Sequence, residues 1–161
     1  MDILFEQRIA HNAAFGAEAI WISTFAAYEA SARTSGITFP LVYLVLPLVL
    51  HRRTALALAT KTQPGALFKA ISEDREIPVG LQSRVESMAR RTSDALALAF
   101  RSKLVALDTN EEKHLIPVRK TNPFTHHDQD SKIVLSAAKR IGQTFAELPA
   151  GQICTTLGIR L

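Results

Sequence analysis

Ile37-Thr-Phe-Pro-Leu-Val-Tyr-Leu-Val-Leu-Pro-Leu-Val-Leu50, followed at once by His51-Arg52-Arg53-Thr54, is the stretch whose reading decides the fold. It is intensely apolar, yet its fourteen residues fall short of the about 20 that a helix needs to cross a bilayer. It therefore reads as a helix buried in the core of a protein with no membrane partner. Pro40 suits a first helical turn, whereas Pro47 deletes one backbone donor, so a kinked or two-part element is expected.

The apolar block needs a shell, and the flanking sequence supplies helices. Ala14, Ala17, Trp21, Phe25 and Tyr28 recur at steps of three and four over residues 12 to 32, with Asn12 placed to cap the first turn. Thr54 can cap a short Ala- and Leu-rich helix, and Pro64-Gly65 marks the break before another at Ala66 to Ile71. Leu81, Val85 and Met88 form the stripe of a further helix, with Arg84, Arg90 and Arg91 off it. Thr92-Ser93-Asp94 then offers caps for a new helix with Leu96, Ala99 and Phe100 inward, which makes a helix-turn-helix.

Leu104 to Leu107 and His114 to Val118 flank a polar tip and read as a β-hairpin. Thr121 to Asp130 reads as a loop or a partly mobile linker. A long helix resumes near Ser131 with Val134, Ala138, Ile141 and Phe145 inward, packed back on the first helix. Pro149 and Gly158 bracket a last short helix anchored by Ile153 and Leu157. The expected fold class is mainly α (α+β), one domain over residues 1–161. Within it lie N-terminal helices and the core segment (11–60), a winged-helix-like unit with one short hairpin (64–120) and C-terminal helices (131–161).

Composition narrows the chemistry. A chain of 161 residues, 47% hydrophobic and 21% charged, is that of a globular protein. One cysteine, Cys154, rules out an internal disulfide framework, and Met1 to Glu6 lacks a secretory pattern, so a cytoplasmic setting is expected. There is neither a phosphate loop nor a dinucleotide fingerprint, so no nucleotide or other cofactor is expected. His126 and His127 with Asp128 and Asp130 lack metal-ligand spacing and read as solvated loop, without a metal. Cys154 reads as a buried inert thiol, and Glu73-Asp74 and Glu111-Glu112 as solvated charge. No catalytic residue and no enzyme is expected.

What remains is contact with macromolecules. His51, Arg52 and Arg53 emerge from the core block at one point of the surface, as a C-terminal helix cap or as a contact for an acidic partner or phosphate. Arg84, Arg90, Arg91, Arg101, Lys103, Lys113, Arg119 and Lys120 surround the helix-turn-helix and hairpin, and suit either a phosphate backbone or an acidic protein face. A winged-helix transcriptional regulator is the alternative. Its recognition segment, residues 92 to 103, is poor in base-reading side chains: Ser93, Ala97, Arg101 and Ser102 make up its exposed set.

Asn12-Ala-Ala-Phe-Gly-Ala17, Trp21, the block Phe39 to His51 and the closing Thr155-Thr-Leu-Gly-Ile-Arg160 occur in an order that resembles the middle component of bacterial three-component ABC systems. That resemblance implies a non-enzymatic adaptor between an SMC- or Rad50-like ABC ATPase and an effector protein, often a nuclease. It also implies a setting in defence against phages and plasmids, in systems that include Lamassu-like ones. A sequence-independent contact with DNA belongs to the same set of expected partners.

Overall fold

The computed structural model describes residues 11–124 and 128–161. Along the chain run α1 (Ala13–Ala30), β1 (Ile37–Thr38), a 3-10 turn (Phe39–Leu41), α2 (Val42–Val49), α3 (Arg52–Ala59), α4 (Ala66–Glu73) and α5 (Leu81–Arg101). Then come β2 (Val105–Leu107), β3 (His114–Pro117), α6 (Gln129–Glu147) and α7 (Ala150–Leu157). The architecture is mainly α with one small antiparallel sheet, as expected.

The apolar block is core. Leu41, Val42, Leu44, Val45, Leu46, Leu48 and Val49 are all buried. Pro40 lies within the 3-10 turn, second after Phe39, and Pro47 sits inside α2 without ending it. The bend expected at Pro47 instead lies after Leu50, where α3 leaves at 96° to the preceding segment. One lost donor near the end of a short, fully packed helix is tolerated; the extended His51 is what turns the chain. Among the described residues no single helix is long and apolar enough to cross a membrane.

Helix α1 departs from the one-faced helix that its spacing suggested. From Phe15 to Ala27 it is buried on nearly every side, polar Glu18, Ser23 and Thr24 included, while Ala14 is exposed. It is the central helix, surrounded by α2, α5, α6 and the sheet. Small residues make this arrangement workable, because they let neighbouring backbones approach. The Ser23 hydroxyl donates to the Ala138 carbonyl of α6 at 2.8 Å, and Thr24 donates back to Ile20 at 2.8 Å. Asn12 caps the helix as expected, its side-chain oxygen accepting from Ala14 and Phe15.

The helix-turn-helix expected around Thr92 is replaced by one continuous helix, α5, of 21 residues. Leu81, Val85, Met88, Thr92, Ala95 and Ala99 fall on one stripe whose steps of three and four run straight through the expected break. Burying that stripe outweighs the local capping chemistry of Thr92-Ser93-Asp94, since no glycine or proline interrupts it. Thr92 is consequently 0% exposed, and its hydroxyl has no hydrogen-bond partner. Thr92→Val keeps the shape and removes an unsatisfied polar atom. It is expected to raise stability by about 1 kcal/mol, read from the urea midpoint.

The expected hairpin is present, with Ala106 opposite Ile116 and Leu107 opposite Leu115. Ile37 and Thr38, read from sequence as the start of the apolar helix, instead add a third strand, in the order β1-β3-β2. A side chain at Gly36 would put its Cβ 1.7 Å from the Leu115 carbonyl, so only glycine admits this crossing.

Helix α6 begins two residues before Ser131, capped by Asp128, which accepts from the Ser131 amide at 2.7 Å. It packs on α1 as expected. Beyond α7, Gly158 turns the chain at φ +67 and Ile159 tucks inward. The Gln82 side chain then grips the Arg160 backbone at both polar atoms, accepting from its N–H at 2.9 Å and donating to its carbonyl at 3.2 Å.

Candidate partner-docking surface

The cations singled out from sequence separate into three places. His51, Arg52, Arg53 and Arg84 form the first, at the bend between α2 and α3. His51 is the residue before α3, and Arg52 and Arg53 are its first two residues, so these cations sit at a helix N-terminus rather than the C-terminus their sequence position suggested. Thr54 lies inside the helix and does not cap it; its hydroxyl is 2.8 Å from His51 Nδ1. Arg53 is ion-paired to Asp74, which offsets the unfavourable helix dipole and holds the Asp74 carboxyl below its usual range.

Arg84 turns inward. Its guanidinium donates to the carbonyls of Val79 at 2.8 Å, Ile77 at 3.2 Å and Pro47 at 3.3 Å. Burial, then the nearby charges of Arg84 and Arg53, lower the pKa of His51; burial also lowers that of Arg84. This group ties α2, the 77–80 turn and α5 together, and Arg52 is exposed with no ion-pair partner among the described residues.

Arg90 and Arg91 form the second place, exposed on the middle of α5. Arg91 contacts His11, with Nη2 3.2 Å from Nε2. Helical spacing puts Glu86 and Asp94 four residues to either side of Arg90, on the same face. The exposed face of α5 therefore alternates in sign.

The third place is built by the end of α5 and the base of the hairpin. Arg101 occupies the last turn of α5, where a cation is favoured, and Lys103 follows in a left-handed conformation at φ 55. The Leu104 carbonyl accepts from the N–H groups of both Val118 at 2.8 Å and Arg119 at 3.3 Å. That crossing sets Arg119 and Lys120 beside Lys103. The Trp21 indole of α1 donates to the Arg119 carbonyl at 3.1 Å and fixes the segment from below. Arg101, Lys103, Arg119 and Lys120 are all exposed, and among the described residues none has an ion-pair partner. Lys113 lies at the far end of the hairpin, its carbonyl accepting from Phe39, and does not join them.

The other polar features fall as follows. Glu73 and Asp74, expected to be simply solvated, are each ion-paired: Glu73 lies 2.6 Å from Lys61 Nζ, and that contact holds its carboxyl pKa down. Glu111 and Glu112 are exposed at the hairpin tip. Cys154 is half-buried, and burial pushes its thiol pKa up. His126 and His127 lie outside the described residues, among which no group of side chains could hold a metal ion.

Sequence reading missed the inward role of Arg84, since its carbonyl partners are unremarkable as sequence. It also missed Val118, an apolar residue 50% exposed beside the third cluster.

Residues 2–161 of the chain match a family model, the ABC-three component (ABC-3C) system Middle Component 3. The chain belongs to that family. A middle component 3 works as part of an ABC-3C system, so its partners are other components of that system. Neither a curated protein nor a solved structure gave a match.

Proposed function

We propose that this middle component is a non-enzymatic, cytoplasmic adaptor that bridges an SMC- or Rad50-like ABC ATPase and an effector, such as a nuclease, in defence against phages or plasmids. The observation that carries the reading is the family match along residues 2–161. The chemistry of the surface agrees with it. The carboxylates Glu73 and Asp74 are neutralised in ion pairs and the Cys154 thiol is disfavoured as a thiolate, whereas the cations beside the hairpin stand free for contact.

Regulation follows by population shift. A subunit that binds two nucleotide states of the ATPase with unequal affinity biases the ATPase between them, and an effector held on the same subunit senses the change. Tagged middle component co-expressed with the products of its flanking genes is expected to retain both, in amounts that differ with and without ATP. Elution of the chain alone, with both partners present and folded, would sink the adaptor reading.

The strand order β1-β3-β2, with helices between β1 and β2, favours a second reading, a winged-helix DNA-binding regulator. Helix α5 would then be its recognition helix. The alternation of Glu86, Arg90 and Asp94 on its exposed side sets carboxylates against the phosphates it must approach.

A further inference from the structure

We propose that Arg101, Lys103, Arg119 and Lys120, together with exposed Val118, form the surface on which this subunit receives an acidic face of a protein component of its ABC-3C system. The inference rests on the adaptor reading and deepens it by naming the surface and the chemistry of the partner.

The cluster gathers four formal positive charges on exposed side chains, two before the hairpin and two after it. The four cations are exposed and, among the described residues, have no ion-pair partner, unlike Arg53 and Lys61 elsewhere, and the cluster's backbone is held by the Leu104 and Trp21 hydrogen bonds. A cluster fixed by the backbone loses less freedom when a partner binds than one on a loose loop.

The surroundings select a protein over nucleic acid. A duplex presents one charge per about 1.7 Å of its axis and so extends past any compact patch. Along α5 it would meet Asp94 and Glu86, and along the hairpin it would meet exposed Glu111 and Glu112. A phosphate chain also gains nothing from Val118, 50% exposed beside Arg119, whereas a carboxylate-rimmed apolar patch on a protein matches both the cations and the valine. Arg101 and Arg119 supply the planar forks that suit paired carboxylates.

The test uses the full chain co-expressed with its flanking gene products, comparing wild type with Arg101→Gln/Lys103→Gln/Arg119→Gln/Lys120→Gln. These residues are exposed, so the variant is expected to melt within a few degrees of wild type, and circular dichroism checks that it does. Expected is at least a tenfold loss of a co-purifying protein partner, with wild-type binding weakening as salt rises. A second variant, Val118→Asp, is expected to weaken the same complex without touching a cation.

Wild type that co-purifies with its partners while the folded quadruple variant does so equally well overturns this surface and leaves the adaptor standing. Wild type that recovers neither partner removes the adaptor reading itself. A 30-base-pair duplex of arbitrary sequence serves as the nucleic-acid probe, read by fluorescence anisotropy. Binding whose affinity falls with salt at a log-log slope of about −3.6, the value for four phosphate contacts, and which the quadruple variant loses, would reassign the patch to DNA and overturn the proposal.

Discussion

Gly142→Ala is expected to destabilise the protein by about 3 kcal/mol, the upper part of the range for forcing atoms into a packed core. Two effects compete. Alanine is the better helix former by about 1 kcal/mol, and on an exposed helix the substitution would stabilise. At Gly142, however, the new Cβ would lie 2.0 Å from the Ser23 carbonyl oxygen and 2.7 Å from its carbon. These are backbone atoms in the middle of α1 and cannot swing aside, so α6 must move off the central helix. That movement also breaks the bond from the Ser23 hydroxyl to Ala138. For a chain of this length the loss corresponds to a melting temperature lower by roughly 6–12 °C.

Gly151→Ala is the matched control. It lies in α7 with nothing within 4 Å of the added carbon, and it is expected to be neutral or slightly stabilising. Equal stability of Gly142→Ala and wild type in urea unfolding would mean that α1 and α6 do not meet in this register.

The contact at Gly142 also shows where sequence reading stops. Local chemistry was legible: Asn12 caps α1, Pro64-Gly65 precedes α4, and Gly158 ends α7, because each depends on a few neighbouring residues. The fate of residues 37–50 was legible for a different reason, since a run that apolar and that short can lower its free energy only by burial. The all-round burial of α1 was hidden because alanine, glycine, serine and threonine carry little hydropathy signal, and their use here is to be small.

At Thr92-Ser93-Asp94 a local signal was present and lost to a longer one, the unbroken stripe from Leu81 to Ala99. The proposed docking surface was half legible. Lys103 and Arg119 flank the hairpin and had to meet once it closed. Arg90 falls about 16 Å from Arg101 simply by helical rise, which separates two groups that look adjacent on paper.

Arg84→Ala is the second large effect expected, a loss of about 3 kcal/mol, because the guanidinium serves three carbonyls, one in α2 and two in the 77–80 turn, and ties both to α5. In the variant the Pro47, Ile77 and Val79 oxygens lose a charged donor, and the first two of these bonds are part-buried. Arg84→Lys is expected to recover only part of the loss, since one ammonium cannot span three acceptors set out for a planar fork.

A titration distinguishes this structural role from a role in partner contact alone. In wild type the pKa of His51 is lowered, first by burial and then by the charges of Arg84 and Arg53. The folded state therefore prefers the neutral ring. That contribution to stability is fully present above the unfolded pKa of about 6.5 and is lost as pH falls through the folded value. Without Arg84 the burial remains but the larger repulsion goes, so the His51 pKa, followed by NMR, is expected to move upward without reaching its ordinary value. The acid-side loss of stability, compared by urea unfolding above and below neutrality, becomes correspondingly shallower. If Arg84 were instead a partner contact with no part in the fold, Arg84→Ala would unfold at the wild-type urea concentration, leave the His51 titration in place and weaken only the complex.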